Sequence, residues 1–333
     1  MNGIANSGVY IGSVEQLLQQ LLPKRRVIVI TDSNVDRCHH SLISSYEHII
    51  IGLGEQAKNL TTLEKVYTQL MEMGADRSTF LLGIGGGIVT DITGFVGATY
   101  MRGVDFGFIP TTLLAMVDAS VGGKNGVNIG GFKNMVGTFL QPNFVICDTA
   151  KLSTLSDREF AAGLAEVIKA AVIADAELFE MLEQADFSTL QRDSDTLREM
   201  VYRAIKVKAD IVERDERESG DRRLLNLGHT LAHAIEKSSS KFNHGEAVAV
   251  GLAMIAEVAA NRDMLAVADK ERIVNLLLRA GFALEPPVEV RTLLKAVKRD
   301  KKAEGDSIHV VFPLGVGHCC VEKMPIEEFK ALV

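Results

Sequence analysis

Short apolar runs alternate with segments of helical periodicity through the first 150 residues of the chain. The runs are VIVI at 27–30, HIII at 48–51, FLLGI at 80–84, FGFI at 106–109 and FVIC at 144–147, and turns containing Gly, Asp or Thr follow them. Residues 60–73 between two of the runs have a helical period. Short buried strands separated by helices predict βαβ units and a parallel sheet. Ligands of such sheets bind at the carboxyl ends of the strands, where these turns lie.

The pattern changes near residue 151. Stretches rich in Ala, Leu and Glu then follow one another, and the helical ones are residues 157–174, 196–217, 228–238, 245–262 and 269–280. Only IHVVF at 308–312 is typical of a strand. At 333 residues the chain is long enough for two hydrophobic cores. We therefore predict an α/β fold class with two domains: a Rossmann-like parallel-sheet domain over residues 1–150 and a mostly α-helical domain over residues 151–333.

Composition and charge narrow the class of protein. Hydrophobic residues make up 47% of the chain and charged residues 24%, which is ordinary for a soluble globular protein. The net charge is −7 with no block of like charges, so we expect no nucleic-acid partner. The longest uncharged apolar stretch, 247–256, is too short to cross a membrane, and the N-terminus lacks a signal-peptide pattern. Four cysteines without a CxxC pair fit a reducing compartment, so we expect a cytoplasmic protein with no membrane partner.

Two turns of the first half have the composition of a ligand site. Three glycines follow the strand FLLGI and precede a helix that we predict to begin near Thr90 or Asp91. Glycine N–H groups and a helix N-terminus can bind a phosphate, although a tight structural turn has the same composition. GLGEQAK at 52–58 places Glu55 and Lys58 after another strand, where an acidic residue commonly binds ribose hydroxyls. Solvated loop charges are the alternative for these two side chains.

Residues 110–137, PTTLLAMVDASVGGKNGVNIGGFKNMVG, interleave polar side chains with six glycines. A segment so rich in glycine has few side chains to place in a core. Lys and Asn donors on a closely approaching backbone suit a phosphorylated, polyhydroxylated ligand. The segment is therefore predicted to bind a ligand, and its polar side chains are those of Thr111, Thr112, Asp118, Lys124, Asn125, Asn128, Lys133 and Asn134.

Three of the eight histidines lie within residues 224–248, LLNLGHTLAHAIEKSSSKFNHGEAV. His229 and His233 are four residues apart and would share one face of a helix, and His244 follows a serine-rich break. Imidazole is a common ligand of transition metals, so a metal site is one interpretation. Two solvated histidines on a surface helix, or satisfied histidines in the core, are the others. The segment by itself leaves all three open.

Seven ordered segments give the chain its resemblance to the 3-dehydroquinate synthases, sugar phosphate cyclases of the shikimate pathway. The segments are GEQAK, GGGIVTDITGF, ATYMRGVDFGFIPTTLLAMVDASVGGKNGVN, FKNMVGTF, GLAEVIKAA, RRLLNLGHTLAHAIE and NHGEAVAVG. The resemblance implies an N-terminal NAD-binding domain, a helical metal-binding domain, and a homodimer. It also implies two cofactors, NAD and a divalent metal, with Zn²⁺ expected and Co²⁺ as the alternative. The implied reaction converts 3-deoxy-arabino-heptulosonate 7-phosphate to 3-dehydroquinate and phosphate, through transient oxidation, β-elimination of phosphate, re-reduction, ring opening and aldol closure.

The resemblance also implies roles for individual residues. The implied metal ligands are Glu166, His229 and His244. His233 is therefore expected to contact the substrate and not the metal. The implied cofactor-binding residues are Asp32, Glu55, Lys58, Gly86, Gly87, Asp91, Thr111, Thr112, Asp118, Lys124, Lys133 and Thr154. The implied substrate contacts are Arg102, Lys124, Lys133, Asn134, Lys169, Lys208, Arg222, Asn226, His233 and Lys302, with Lys301 as the alternative to Lys302. Lys124, Lys169, Arg222, Asn226 and His233 are the implied catalytic residues, and Arg102 is expected to reach the partner subunit's site.

Three rival functions have the same architecture or cofactors. Another sugar phosphate cyclase would tend to differ in the segments SVGGK and KNMVGTF, which recognise a substrate with a carboxylate. This chain retains VGGK, FKNMVG and RRLLNLGHT. A metal-dependent polyol dehydrogenase would release NADH and would not need Lys133, Asn134 and Arg222. An NAD-binding regulator would not need the complete set of metal ligands. The sequence therefore favours a 3-dehydroquinate synthase.

Overall fold

The computed structural model describes residues 7–297, 303–304 and 306–333. The chain forms two compact units, Met1–Ser156 and Asp157–Val333. The predicted boundary at residue 150 falls inside the first unit, at the start of a 3-10 helix, Thr149–Thr154. Asp148 precedes that helix, and its Oδ2 atom accepts the backbone N–H of Val14 at 3.0 Å, which ties this part of the chain to the first unit.

A six-stranded parallel sheet forms the centre of the first unit. Its strands are β1 (Gly8–Ile11), β2 (Val27–Asp32), β3 (Glu47–Ile51), β4 (Phe80–Gly85), β5 (Phe106–Pro110) and β8 (Phe144–Cys147), in the order β1-β8-β5-β4-β2-β3. The five predicted strands and their parallel pairing are confirmed. The short edge strand β1 was not predicted, and it pairs with β8 in parallel.

The central strands of the sheet are apolar and buried on both faces. Val29, Leu82 and Ile146 are fully buried, and the rings of Phe80 and Phe144 stack at 5.6 Å between centroids. Each such side chain contributes about 1.5–3 kcal/mol when it leaves water. A sheet packed in this way fixes the carboxyl ends of its strands, from which the candidate ligand residues project.

Helices accompany the strands of the first unit: α1 (Val14–Leu21), α2 (Ser33–Cys38), α3 (His40–Ile43), α4 (Leu60–Glu72) and α5 (Gly87–Thr99). The helix predicted near Thr90 or Asp91 begins earlier, at Gly87, so that prediction was wrong by about one turn. Gly86 is its extended N-cap residue, and the carbonyl of Gly86 accepts the N–H of Thr90 at 3.1 Å. The glycines therefore start the helix instead of forming a loop before it.

The glycine-rich segment contains a hairpin that was not predicted. Strands β6 (Lys124–Ile129) and β7 (Phe132–Phe139) pair antiparallel, and a two-glycine turn with positive φ at both residues joins them. The expectation that the segment has few core side chains was wrong for its first part. Leu113, Ala115 and Met116 are fully buried.

The second unit is mostly helical, as predicted. Its helices are α6 (Asp157–Ala174), α7 (Ala176–Gln184), α8 (Ser194–Arg214), α9 (His229–Ser238), α10 (His244–Asn261), α11 (Val267–Arg279), α12 (Val290–Val297) and α13 (Ile326–Leu332). The five predicted helical stretches correspond to α6, α8, α9, α10 and α11. Among the described residues, no helix has both the length and the apolar composition needed to cross a membrane.

The prediction of a single strand in the second unit was wrong. Strands β9 (Ala303–Glu304), β10 (Ser307–Gly315) and β11 (His318–Pro325) form an antiparallel sheet in the order β11-β10-β9. The sequence of β11, HCCVEKMP, places charged residues among small apolar ones and therefore lacks the continuous apolar run of a buried strand. Its pairing with β10 stabilises it.

Candidate active site

Three side chains from three helices converge in the second unit. Glu166 lies in α6, His229 is the first residue of α9, and His244 is the first residue of α10. The Oε1 atom of Glu166 lies 3.5 Å from Nε2 of His229 and 3.3 Å from Nε2 of His244. All three candidate ligand atoms lie within 4.8 Å of one another. Glu166 and His229 are buried, whereas His244 is half-buried.

Close packing of the three helices produces this convergence. A Cβ atom on Gly228, the N-cap residue of α9, would lie 2.8 Å from the backbone nitrogen of Leu252 in α10. A Cβ atom on Gly245, next to His244, would lie 2.3 Å from the Cα atom of Ala162 in α6. Only glycine permits such backbone contacts. The first turns of α9 and α10 are thereby brought against α6, where Glu166 lies.

Both imidazole rings are oriented by a second contact. Nδ1 of His229 lies 3.1 Å from the carbonyl of Leu227 and can donate a hydrogen bond to it, while Nε2 faces Glu166. Nδ1 of His244 lies 3.4 Å from Oε1 of Glu236. A carboxylate or carbonyl behind a ligating imidazole fixes its tautomer and its orientation. Glu236 was not predicted from the sequence.

These donors fit a divalent metal ion. Two imidazole nitrogens and one carboxylate oxygen form a donor set known from catalytic zinc sites, which leave one position for water or substrate. Burial lowers the pKa of His244, but its contacts with Glu166 and Glu236 outweigh burial and raise that pKa to about 10. A metal ion would therefore replace a proton that the two carboxylates favour at this position.

His233 does not belong to this cluster, although it shares a helix face with His229. The two rings meet edge to face at 5.7 Å between centroids. Within the described part of the chain, the metal-competent group contains Glu166, His229 and His244 without His233. The i, i+4 spacing thus brings two imidazoles together but does not identify the ligand pair.

A buried cation lies beside the candidate ligand Glu166. The ammonium of Lys169 pairs with the carboxylate of Glu166 and donates to the carbonyl of Leu225 at 2.8 Å. Lys208 in α8 is also buried. Burying a charge is costly unless it is paired, so these positions have specific partners or a specific ligand.

A turn after α8 holds two further predicted substrate residues. Asp215 caps the end of α8, and its carboxylate accepts the backbone N–H groups of Ser219 (3.0 Å), Gly220 (2.6 Å) and Arg222 (3.1 Å). Burial raises the pKa of Asp215, but these donors outweigh it and lower that pKa to about 2. Asp215 was missed by sequence reasoning, because Ser219 and Gly220 follow it only four and five residues later, farther than the two-residue reach of an ordinary Asx turn.

This turn delivers Arg222 and Asn226 from one short 3-10 helix, Asp221–Asn226. The Arg222 side chain is almost fully buried and donates to the carbonyl of Glu216. The amide of Asn226 donates to the carboxylate of Glu218. A guanidinium held in this way is pre-organised for a bidentate contact with an anion.

In the first unit, several predicted cofactor residues contact one another. Lys58 is buried and pairs with Asp91, in the second turn of α5. Burial raises the pKa of the Asp91 carboxyl, and the Lys58 ammonium opposes that rise. Glu55 accepts a hydrogen bond from the side chain of Asn128 at 2.7 Å. The hairpin and the segment 55–58 are therefore joined.

The glycines and threonines lie at the carboxyl ends of β4 and β5. Thr111 donates its N–H to the carbonyl of Gly85 at 2.9 Å, and the Thr112 hydroxyl accepts the N–H of Ala115 at 3.1 Å. A Cβ atom on Gly86 would lie 3.1 Å from Cγ2 of Thr112, so the two turns are adjacent. Gly87 begins α5, and Asp118 lies in the π-helix Ala115–Ala119. This edge of the sheet offers backbone donors and hydroxyls to a ligand.

Asp32 and Thr154 lie on other turns of the first unit. Asp32 ends β2, and its Oδ1 atom accepts the N–H groups of Asn34 and Val35, which caps α2. The hydroxyl of Thr154 lies 3.2 Å from Nε2 of His39. Burial lowers the pKa of His39 and favours its neutral form. Each of these side chains thus already has a local structural contact.

The remaining predicted residues lie on exposed turns or outside the described chain. Lys124 begins β6, and Lys133 and Asn134 lie in β7, all three exposed. Arg102 is exposed in a left-handed conformation with φ of 69°. Lys302 and its alternative Lys301 lie outside the described residues.

Two family models match the chain in succession. The family described as 3-dehydroquinate synthase N-terminal matches residues 48–162, and the family described as 3-dehydroquinate synthase C-terminal matches residues 163–303. The chain is 41% identical over 318 residues to the 3-dehydroquinate synthase of Pelobacter propionicus, which covers 92% of this chain and 89% of the relative. It is 44% identical over 280 residues to that of a Picosynechococcus species, covering 82% and 76%.

A solved structure with the same fold belongs to a related cyclase. It is a 2-epi-5-epi-valiolone synthase from Streptomyces hygroscopicus subsp. jinggangensis with NAD⁺ and Zn²⁺ bound, at 27% identity and a TM-score of 0.87. The match covers 98% of this chain and 95% of that one. The resemblance seen in the sequence and the predicted fold class are both confirmed. With two family matches across residues 48–303 and relatives above 40% identity along most of its length, the chain belongs to the 3-dehydroquinate synthase family.

Proposed function

We propose that the protein converts 3-deoxy-arabino-heptulosonate 7-phosphate to 3-dehydroquinate and phosphate, with NAD and a divalent metal as cofactors. The observation that carries the proposal is the convergence of Glu166, His229 and His244 beside Lys169, in a member of this family. A related cyclase with the same fold binds NAD⁺ and Zn²⁺, which supports both cofactors here.

Glu166, His229 and His244 would hold the metal, and Zn²⁺ or Co²⁺ suits their donor atoms. When bound, the metal supplies a Lewis acid that lowers the pKa of a substrate hydroxyl. The Leu227 carbonyl and the Glu236 carboxylate keep the two Nε2 atoms aimed at one point before any ligand arrives. Preformed ligands need little rearrangement on binding, which favours affinity.

When bound, NAD would supply a hydride acceptor and, once reduced, a hydride donor, so it would not be consumed in a turnover. Gly86 and Gly87 would admit its pyrophosphate at the start of α5, where backbone N–H groups and the helix dipole favour an anion. Glu55 offers a carboxylate to ribose hydroxyls. The other cofactor contacts that we propose are Asp32, Lys58, Asp91, Thr111, Thr112, Asp118, Lys124, Lys133 and Thr154.

The substrate has a carboxylate and a phosphate, and the chain has buried cations suited to both. Lys169, Lys208 and Arg222 are buried in the second unit, where electrostatic contacts are strong because water is scarce. We assign them to substrate binding together with Lys124, Lys133, Asn134, Asn226 and Lys302. Several reaction steps on one bound molecule require such a clamp, because each step depends on the orientation of the reacting atoms.

Proton transfer falls to His233 and to the substrate itself. Oxidation of the substrate to a ketone acidifies the neighbouring C–H bond, and the substrate phosphate can remove that proton. The protein therefore needs no pair of carboxylates as the base. His233 is half-buried on the same helix face as His229 and can carry a proton near the phosphate. Asn226, fixed by Glu218, would orient the departing group.

We also propose a homodimer in which Arg102 contacts the partner subunit's substrate. Met101 and Arg102 have positive φ values of 49° and 69°, and both side chains are exposed. An exposed cation on such a turn is accessible to a neighbouring subunit. An exposed methionine beside it is typical of contact surfaces.

Mixing two inactive variants tests this role. Arg102→Ala and Glu166→Ala subunits would combine so that one of the two sites in each heterodimer has both intact residues. Random exchange at equal concentration makes half of the dimers mixed, so activity should return to about a quarter of the wild-type value. No recovery after verified subunit exchange would contradict the cross-subunit role.

A cytoplasmic location is our further proposal. Cys38, Cys147, Cys319 and Cys320 are all free thiols. Burial raises the pKa of the Cys147 and Cys319 thiols, which keeps them protonated and unreactive. Such thiols suit a reducing compartment.

The substrate assignment is tested by comparing two sugar phosphates. The metal-loaded enzyme with NAD should release phosphate from the heptulosonate 7-phosphate at least about a hundredfold faster than from a heptulose 7-phosphate lacking the carboxylate, because buried cations would then lack their partner. Preference for the substrate without a carboxylate would identify another sugar phosphate cyclase. Accumulation of NADH without phosphate release would identify a polyol dehydrogenase.

A further inference from the structure

The hairpin of the first unit contains an irregularity opposite one asparagine. Val127 pairs with Val136, and Ile129 pairs with Phe132. One residue of β6, Asn128, therefore faces the three residues 133–135 of β7. A bulge of this kind interrupts the ladder and redirects the side chains that it contains. Two of those side chains, Lys133 and Asn134, are proposed ligand contacts.

Asn128 supplies the hydrogen bond that the interrupted ladder lacks. Its Oδ1 atom accepts the backbone N–H of Asn134 at 2.9 Å. Asn134 has a φ of 52°, a left-handed conformation that asparagine tolerates better than most residues but that still needs support. The contact thus holds the bulge in one conformation.

The same side chain reaches the proposed cofactor segment. Its Nδ2 atom donates to Oε1 of Glu55 at 2.7 Å. Its backbone N–H donates to the carbonyl of Lys58 at 2.9 Å, and Asn59 and Asn128 form a parallel bridge. Asn128 is therefore attached to the segment 55–59 through its main chain and its side chain.

We propose that Asn128 is a positioning residue that fixes the bulge carrying Lys133 and Asn134 in register with the segment carrying Glu55 and Lys58. This inference rests on the proposed function, because it takes those four residues as ligand contacts. The two hydrogen bonds of the Asn128 side-chain amide then set the distance between Glu55, which would bind ribose, and the proposed ligand contacts Lys133 and Asn134. Asn128 itself need not touch either ligand.

Two substitutions separate the halves of this role. Asn128→Ala removes the acceptor for Asn134 and the donor for Glu55. Asn128→Asp has the same shape and keeps the acceptor, but it loses the donor and sets a carboxylate against that of Glu55. The acceptor supports the bulge, whereas the donor supports Glu55, so Asn128→Ala should weaken the binding of both ligands and Asn128→Asp that of NAD alone.

Three quantities distinguish the variants: hydrogen exchange at the Asn134 amide, the NAD dissociation constant by calorimetry, and KM for the heptulosonate phosphate at saturating NAD. In Asn128→Ala, amide exchange, KM and the NAD dissociation constant should each rise about tenfold, because the hydrogen bonds to Asn134 and to Glu55 are both lost. In Asn128→Asp, amide exchange and KM should stay within about threefold of wild type, while the NAD dissociation constant rises about tenfold. In both variants kcat should change less than about threefold.

Asn143→Ala is the matched control. Its Oδ1 atom also accepts a backbone N–H, that of Phe106 at 3.1 Å, away from the hairpin. This variant should lose stability but keep all three quantities within about twofold. Equal changes in Asn143→Ala, or none in Asn128→Ala, would overturn the proposal. If the wild type releases no phosphate, the proposed function fails, and NAD affinity together with amide exchange still decides the role of Asn128.

Discussion

The two units present their candidate ligand groups in different ways. In the first unit, the groups lie on turns that follow the parallel strands and on the exposed hairpin β6–β7. In the second unit, the metal ligands lie within or at the start of long helices whose backbones touch. Turns tolerate small displacements, whereas closely packed helices do not. Substitutions of ligand groups in the second unit should therefore abolish turnover almost completely. Substitutions in the first unit should lower ligand affinity only partly.

The largest effect is expected at Glu166. Glu166→Gln removes the charge between His229 and His244 and leaves the Lys169 ammonium without its ion-pair partner. Bound metal should fall below about a tenth of an equivalent and turnover by at least about a thousandfold, because the metal contributes several kcal/mol to the transition state. Metal analysis and phosphate release measure the two quantities. Near-normal turnover in protein verified to lack metal would contradict the assignment.

Arg222→Lys should have the next largest effect. The buried guanidinium donates in a fixed plane that an ammonium cannot reproduce, so kcat/KM should fall about a hundredfold. The adjacent Arg223 is the matched control, because its Nη1 atom lies 2.9 Å from Nε2 of His309 and we do not assign it to substrate binding. Arg223→Lys should change kcat/KM less than about threefold. Similar losses in the two variants would mean that Arg222 has only a structural role.

A graded effect is expected in the first unit. Lys58→Met breaks the ion pair with Asp91 and should raise the NAD dissociation constant about tenfold while kcat at saturating NAD stays within about threefold. Lys151→Met is the control, since it breaks ion pairs with Glu15 and Asp148 outside the glycine turns. A thousandfold loss of kcat in Lys58→Met would remove the contrast between the two units.

The smallest effect is expected for the stability of the fold at acid pH. The folded-state pKa of Asp215 is lowered to about 2 from an ordinary value of 3.8, so its ionised form contributes stability above pH 4. That contribution is lost as pH falls from about 4 toward 2. The melting temperature of Asp215→Asn should therefore lie below the wild-type value at neutral pH and approach it in that acid range. A constant difference across that range would show that the carboxylate charge does not support the turn.

The sequence predicted the sheet better than the hairpin, for a physical reason. Strands β2, β4, β5 and β8 are apolar on both faces, so their burial can be read as continuous apolar runs. Most side chains of the hairpin β6–β7 are exposed or half-buried, and its composition is polar and glycine-rich. Nothing local distinguishes such a strand from a loop.

The candidate site was only partly predictable from the residues themselves. Histidine spacing placed His229 and His233 on one helix face, but Glu166 and His244 came from the family resemblance. Their convergence depends on contacts between distant helices. Glu236 and Asp215 were missed for the same reason, because each acts through a residue 8 or 7 positions away in the chain, namely His244 or Arg222. Asn128 was named as part of the ligand-binding segment, but its contact with Glu55, 73 positions away, was not predicted.

We expect NAD to be recycled while phosphate is eliminated, and a reaction with limiting NAD tests this most directly. Metal-loaded enzyme with one NAD per active site should be mixed with excess heptulosonate 7-phosphate, with phosphate, dehydroquinate and absorbance by NADH followed together. We expect many equivalents of phosphate per NAD, an equal amount of dehydroquinate, and no accumulation of NADH. A halt after one equivalent, with NADH formed in step, would contradict it.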